Sequence, residues 1–587
     1  MMTKRDVARW LGLAAVTNTL AASSAMAGPS GDAEMAAIIA AYAEIMAPRD
    51  PITAGQHGDL MALARWPDDS RAAMAEFTAT LRTLAARLDA LDSGKLSEDQ
   101  QLNRDLLRDR IAVALMGLGF DEGRLPFTTG DGFFTTPDYA ALGVVLRTEA
   151  EARAWIAKLD ALPGYYDAQI VNMRRGVAEG FMRPGLVAQQ ALDNVRAHIA
   201  QPIESHSLLN PIKALPDGLP SALRADLLAA AVQAVRTSVR PAELRVADFL
   251  ATTYLPKAPE ALGIGSLPDG DDYYRYLIRL YASVDMSAAE IHQLGLTERD
   301  RIRGEMDAVI AQTSFTGGFK AFLAYIRTDP SFFAENGEDY FEKVSATIIR
   351  VNGLLPLYFR NLPRLPLTVR EVAPELKSSS SGYNPGDLAQ GVPGVVIVNT
   401  EHVDSNPLPG MPAWALHEGV PGHHLQIALA QENPDLPAFR RKDDINAFVE
   451  GWALYSEHLG KEMGMYRTPY EDFGRLSLEM WRACRLIVDT GIHTMGWSRD
   501  QAMATLRENT GLSEDAIARE IDRYIGWPGQ ALGYKIGEIR IRALRSAAEA
   551  ALGSNFDLRD FHDALLMDGP MPLNILTDKM NRWIARQ

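Results

Sequence analysis

The chain has 587 residues, enough to bury a large core, and its 47% apolar and 23% charged residues are the balance of a soluble globular protein. A formal charge of −16 without any block of lysine or arginine argues against a nucleic-acid partner. Cys484 is the only cysteine, which excludes an internal disulfide.

Residues 1–27 read as an export signal. Lys4, Arg5 and Arg9 make a basic start, Val7 to Ala22 is largely apolar, and Ala25-Met26-Ala27 forms a small-x-small cleavage site. Thr3-Lys4-Arg5 resembles a twin-arginine start with one arginine replaced, so either export route fits. The apolar run is too short and interrupted for a stable membrane span, and no cysteine follows it for acylation. The expected location is therefore periplasmic or secreted. Losing this segment, with three positive charges and one negative, takes the formal charge from −16 to −18.

Residues 28–260 read as a helical scaffold. Segments such as Arg71 to Leu91 carry apolar residues at three- and four-residue spacing, and Ser97-Glu98-Asp99-Gln100 has the pattern of a capping box. Between Ala258 and Asp272 the composition shifts to Pro, Gly and Asp, as in a boundary or a loop. Residues 261–587 form the second region, expected to belong with the first to one large helical fold. Ser287-Ala288-Ala289-Glu290 predicts a capped helix through Ile310. Pro356, Pro363 and Pro366 then break the pattern. Ser378 to Asp387 is polar and glycine-rich, a predicted loop, and Gly394 to Asn399 is the clearest strand. As an edge strand it could bind an extended peptide through its backbone, with Asn399 near substrate; as an ordinary buried strand it could not.

The chemistry concentrates in Trp414 to Gln426, which contains His417, Glu418, His423 and His424. Neutral imidazoles suit zinc, and a nearby carboxylate can take a proton from an attacking water. The usual zinc helix places two histidines four residues apart, but the residue four after His417 is Pro421. On an unbroken helix His423 and His424 would lie about 9 and about 10.5 Å further along the axis, too far to share an ion. A metal site therefore demands a distortion, and Pro421-Gly422 is a pair that supplies one. A two-residue bulge selects His423 as the second ligand; a three-residue bulge selects His424. His423 is the preferred choice, leaving His424 behind the ligands or against substrate. Phe448 to Glu457 reads as a helix with Glu450 and Glu457 seven apart on one face. Glu450 is the expected third ligand, and Glu457 the expected support for a ligating histidine.

His-Glu-x-x-Pro-Gly-His-His-Leu-Gln at His417 to Gln426, followed by Phe-Val-Glu-Gly-Trp-Ala-Leu-Tyr-Ser-Glu, resembles a large bacterial family catalogued as domain of unknown function 885. The resemblance extends to His292-Gln293-Leu294-Gly295-Leu296, Pro393 to Thr400, Asp489 to His493 and Pro528 to Gly537. That family is similar in turn to helical gluzincin-type peptidases, the thimet oligopeptidases and thermostable carboxypeptidases. Their Gly-His-x-Leu run matches Gly422-His423-His424-Leu425, and their Phe-Val-Glu run matches Phe448-Val449-Glu450. The resemblance implies a mainly α, large multi-helical zincin-like metallopeptidase with a small β element beside its active-site cleft. It also implies one zinc ion on His417, His423 and Glu450, Glu418 as general base, and Tyr534 as donor to the developing oxyanion. His493, four residues after Asp489, is a further catalytic candidate if it points into the cleft. Arg485 could hold a substrate carboxylate or pair with Asp489 at i, i+4. The expected substrate is a short peptide; a non-peptide amide, ester or C–N bond is the alternative. Nothing in the sequence bears on the oligomeric state.

Overall fold

The computed structural model describes residues 30–372, 381–388, 391–401 and 403–587. The predicted signal at 1–27 and the first residues of the predicted loop at 378–387 lie outside the described residues. The chain is mainly helical, with 72% helix against 3% strand. The capped helix expected from Ser287 is Ala288–Ile310, and both reciprocal bonds of its capping box form. The Arg71 segment forms the helix Arg71–Asp89. The box expected at Ser97 does not form: its side chain caps nothing, because Asp32 of another helix accepts from its backbone N–H and the Gln100 carboxamide accepts from Asn103.

The two regions divided at residue 260 share their cores. One cluster joins Trp155 and Tyr254 of the first region to Phe473, Cys484 and Tyr524 of the second. Another packs Leu102 against Tyr274, Trp452 and Tyr455. The Pro/Gly/Asp-rich stretch near residue 264 is a short 3-10 turn whose Ile264 N–H bonds the ring of His493 on a distant helix. That bond fastens the loop to the second region's own helix.

The β element is a three-stranded sheet of β1 (Leu367–Glu371), β2 (Gly382–Asn384) and β3 (Gly394–Val398), in the order β1-β3-β2. β3 pairs parallel to β1 and antiparallel to β2. The edge-strand expectation for Gly394 to Asn399 is thus corrected: β3 is central, with both flanks of its ladder used. β2, inside the stretch expected to be loop, borders the site instead. Val396 and Val398 pack with Tyr340, Val344 and Ile348 of the helix Gly337–Asn352, and with Met411 and Ala415 of the helix that carries His417. The sheet is thereby fixed against the helix that carries His417.

Candidate metal centre

The motif is a helix, a break and a second helix. The His417 helix spans Met411–Glu418, and the His423 helix restarts at His423–Glu432. Between them the backbone turns back on itself: Gly419 N–H bonds Ala415 O, Gly422 N–H bonds Leu416 O, and His424 N–H bonds Gly419 O. The Val420–Pro421 peptide is cis. A Cβ at Gly422 would collide with the carbonyl oxygens of His417 and Leu416, so only glycine allows the return. The break brings the two imidazole centroids to 4.8 Å.

The Glu450 helix, Asn446–Glu462, is tied to the break by Trp452 Nε1–H, which donates to Pro421 O at 2.8 Å. One turn of helix sets Glu450 beside both histidines. Its Oε2 lies 3.3 Å from His417 Nε2 and 3.5 Å from His423 Nε2. Among the described residues His417, His423 and Glu450 are the group of side chains whose donor atoms could hold one ion. Glu450 Oε2 is buried without a hydrogen-bond partner, although imidazole nitrogens stand on two sides of it. Two donors bound to zinc at about 2.0–2.1 Å with tetrahedral angles sit about 3.3 Å apart. The three residues therefore fit zinc in spacing and donor chemistry, leaving a further position open.

Glu457, two turns beyond Glu450, accepts from His417 Nδ1 at 2.8 Å, and is itself held by Arg482 Nη2 at 3.4 Å. Tyr466 hydroxyl donates to the Glu457 carbonyl at 2.5 Å. This chain fixes the His417 ring with Nε2 toward the cluster, the arrangement that orients metal-ligating histidines. Burial disfavours the His417 cation, but Glu450 and Glu457 outweigh it and raise its pKa to about 9. An ion taken up here displaces that proton.

His424 turns away. Its Nε2–H donates to Leu365 O at 3.1 Å, so Nδ1 accepts from Tyr383 hydroxyl at 3.0 Å. Burial lowers its pKa to about 4 and keeps it neutral. It joins the break to β2, and both ring nitrogens are used. Of the two, His423 and not His424 lies in the cluster with His417 and Glu450.

Glu418 is half-buried at the end of the His417 helix, and its charge acts on His417. A side chain on Gly382 of β2 would come within 4.0 Å of Glu418 Oε2. Tyr534 opens the helix Gly533–Leu552, whose Gly537 meets Gly451 of the Glu450 helix so closely that a Cβ on either would collide with the other's backbone. That contact sets the Tyr534 ring parallel to His417 at 6.4 Å. Burial first, and then the charge of Glu450, push the Tyr534 hydroxyl up, keeping it a donor at neutral pH.

Arg485 and His493 do not do what was expected. Both lie on the helix Pro469–Met495. Arg485 bonds Tyr524 hydroxyl and Glu520, and stacks over the rings of Trp481 and Tyr534 at 4.2 and 4.1 Å. Asp489 accepts instead from Tyr274 hydroxyl and Gly529 N–H. His493 donates from Nε2 to Tyr524 O and accepts at Nδ1 from Ile264 N–H, so it is a neutral buried strut and not a cleft residue. Asn399 lies just past β3, where its side chain bonds Glu401 N–H and its N–H bonds Ser381.

Of two clefts, the first is lined by two residues of the cluster and the second by none. The first, about 860 Å³, is lined by His423, Glu450, Tyr383, Gln426 and Asp444. The second, about 830 Å³, is lined by Trp414, one turn before His417, and by Ser381, Trp481, Glu520 and Arg523. Sequence reasoning missed Tyr383, Gln426, Asp444, Arg482 and Tyr466. Gln426 alone carried a signal, lying one turn from His423 within the motif.

The family model described as "Bacterial protein of unknown function (DUF885)" matches residues 51–580. The chain belongs to this family. A solved structure described as "the putative lipoprotein from Colwellia psychrerythraea" is 27% identical with a TM-score of 0.88, over 94% of this chain and 100% of that one. Another, "a putative lipoprotein of unknown function from Shewanella oneidensis", is 18% identical with a TM-score of 0.71, over 93% and 99%. It shares the fold. No curated protein matches the chain. Among the described residues no helix is long and apolar enough to cross a membrane.

Proposed function

We propose that this DUF885 protein is an exported zinc-dependent peptidase that hydrolyses short peptides, with a zincin-like site of the gluzincin type. The observation that carries the reading is Glu450 Oε2, buried without a hydrogen-bond partner and 3.3 and 3.5 Å from the Nε2 atoms of His417 and His423. A zinc ion held by these three residues would polarise a water and the scissile carbonyl. Glu418 takes a proton from the attacking water and delivers it to the departing amine. Tyr534 donates a hydrogen bond to the carbonyl oxygen as that oxygen gains charge. Glu457 holds the His417 ring in the tautomer that leaves Nε2 free. The cleft lined by His423 and Glu450 gives a substrate a way to the cluster. The N-terminal signal in the sequence supports export, as do the lipoprotein descriptions of two relatives.

The test is metal content by elemental analysis of wild type, His417→Ala and Glu450→Ala, with hydrolysis of a mixed short-peptide library on the same samples. About one zinc per chain, lost in both variants together with cleavage, is the expected result. Zinc without cleavage moves the reaction to a non-peptide amide, ester or C–N bond, and no metal under any reconstitution overturns the site.

A further inference from the structure

The cleft beside His423 and Glu450 holds polar groups that the reaction above does not use. The carboxamide oxygen of Gln426 is buried with no hydrogen-bond partner, on a residue only 2% exposed. The Asp444 carboxylate makes no hydrogen bond or ion pair; its own N–H donates to Asp443. Other acids lining the cleft are committed: Asp443 pairs with Arg110, and Glu432 with Arg364. Arg441 and Lys442 line the same cleft and, among the described residues, neither forms an ion pair with Asp444. Asp444 is exposed and lines the cleft together with Gln426, His423 and Glu450.

An exposed carboxylate and a buried carboxamide oxygen without a donor, lining one cleft, suit one kind of ligand group. An ammonium has three donors and no acceptor, so it satisfies both at once. We propose that Asp444 and Gln426 seat an ammonium group of the substrate beside the metal ligands, so that the protein acts on peptides with a free amino group next to the scissile bond. The seat selects either the α-ammonium of the first residue or a lysine side chain, and the two share the same recognition chemistry. This deepens the peptidase reading and rests on it for the reaction, but binding tests the seat by itself.

The binding probe is phenylalanine amide against its N-acetyl derivative, titrated calorimetrically into zinc-loaded wild type, Asp444→Asn and Gln426→Glu, each first checked for an unchanged thermal midpoint. Lysine against norleucine, both N-acetylated amides, forms the side-chain arm. Wild type should bind one ammonium form at least roughly tenfold tighter than its neutral partner, the range of a charge-assisted hydrogen bond. Asp444→Asn should bring that ratio to about one, and Gln426→Glu, which adds negative charge, should widen it. A preference in the first pair assigns the seat to the α-ammonium; in the second, to lysine. Equal binding of charged and neutral forms by wild type, or a preference that Asp444→Asn leaves intact, overturns the seat. Peptide cleavage measured on the same wild-type sample separates the two questions. Cleavage without amine preference removes the seat and keeps the peptidase, and amine preference without cleavage does the reverse.

Discussion

The two histidines of the cluster face opposite surroundings. Behind His417 the polar groups are used in series: Glu457 accepts from its Nδ1, Arg482 pairs with Glu457, and Tyr466 bonds the Glu457 backbone. Around His423 they are left open: its own Nδ1 and the Gln426 oxygen lack partners, and the exposed Asp444 lines the same cleft. Buried polar groups in a folded protein are ordinarily satisfied, and an orphan costs about 1–3 kcal/mol. Each side keeps orphans, Glu457 Oε2 and Arg482 Nε behind His417, His423 Nδ1 and the Gln426 oxygen beside His423; only the second pair borders a cleft that a ligand can enter.

The comparison breaks if the groups facing the cleft prove dispensable. Glu418→Gln keeps the size of the side chain and removes the base. Peptide turnover should fall by roughly 10²–10⁴-fold with zinc content unchanged; retained turnover would remove Glu418 from the chemistry. Tyr534→Phe removes one donor and should lower kcat by roughly 10²–10³-fold with little change in KM. A change in KM alone would make Tyr534 a binding residue. On the closed side, Glu457→Gln keeps a carbonyl oxygen for His417 Nδ1 but loses the charge and the Arg482 pairing. Zinc affinity, read by competition with a chelator, should drop about 10–100-fold. An equal loss of affinity from Gln426→Leu would erase the difference between the two sides.

Much of this site could be read before the fold was seen. Six residues between His417 and His423, with Pro421-Gly422 among them, admitted a shared ion only if the helix broke, and it breaks there. The seven-residue spacing of Glu450 and Glu457 placed both on the face that meets His417. These are local facts of helical geometry, which is why sequence carries them. The failures depend on partners far away in the chain. Arg485 and His493 were judged against Asp489, their neighbour on the helix, but their partners are Tyr524, Glu520 and Ile264. The Gly394 strand was correctly found, yet its central position depends on β1 and β2 closing around it. Asp444 lies in a polar stretch that reads as ordinary surface, and only the fold puts it beside Glu450. Local patterns picked out the cluster; long-range packing decided what each residue faces.

The smallest predicted effect concerns stability, at a buried carboxyl on the helix that also carries Arg482. Asp489 is fully buried, and burial raises its carboxyl to about 7 even though Tyr274 hydroxyl and Gly529 N–H both bond it. In the unfolded chain an aspartate titrates near about 3.9. The folded state therefore holds this proton more tightly, and the stability it contributes is fully present below about pH 4. That contribution falls as the pH rises toward about 7 and is gone above it. Three pKa units correspond to at most about 4 kcal/mol. Asp489→Asn keeps an oxygen for Gly529 N–H and an amide that can donate to Tyr274, and it cannot ionise. Urea unfolding at pH 5 and pH 8 should show the variant gaining on wild type by about 1–4 kcal/mol between the two. A constant difference across that range would mean that Asp489 is ionised throughout in the folded protein. Its two donors would then suffice to hold a buried anion.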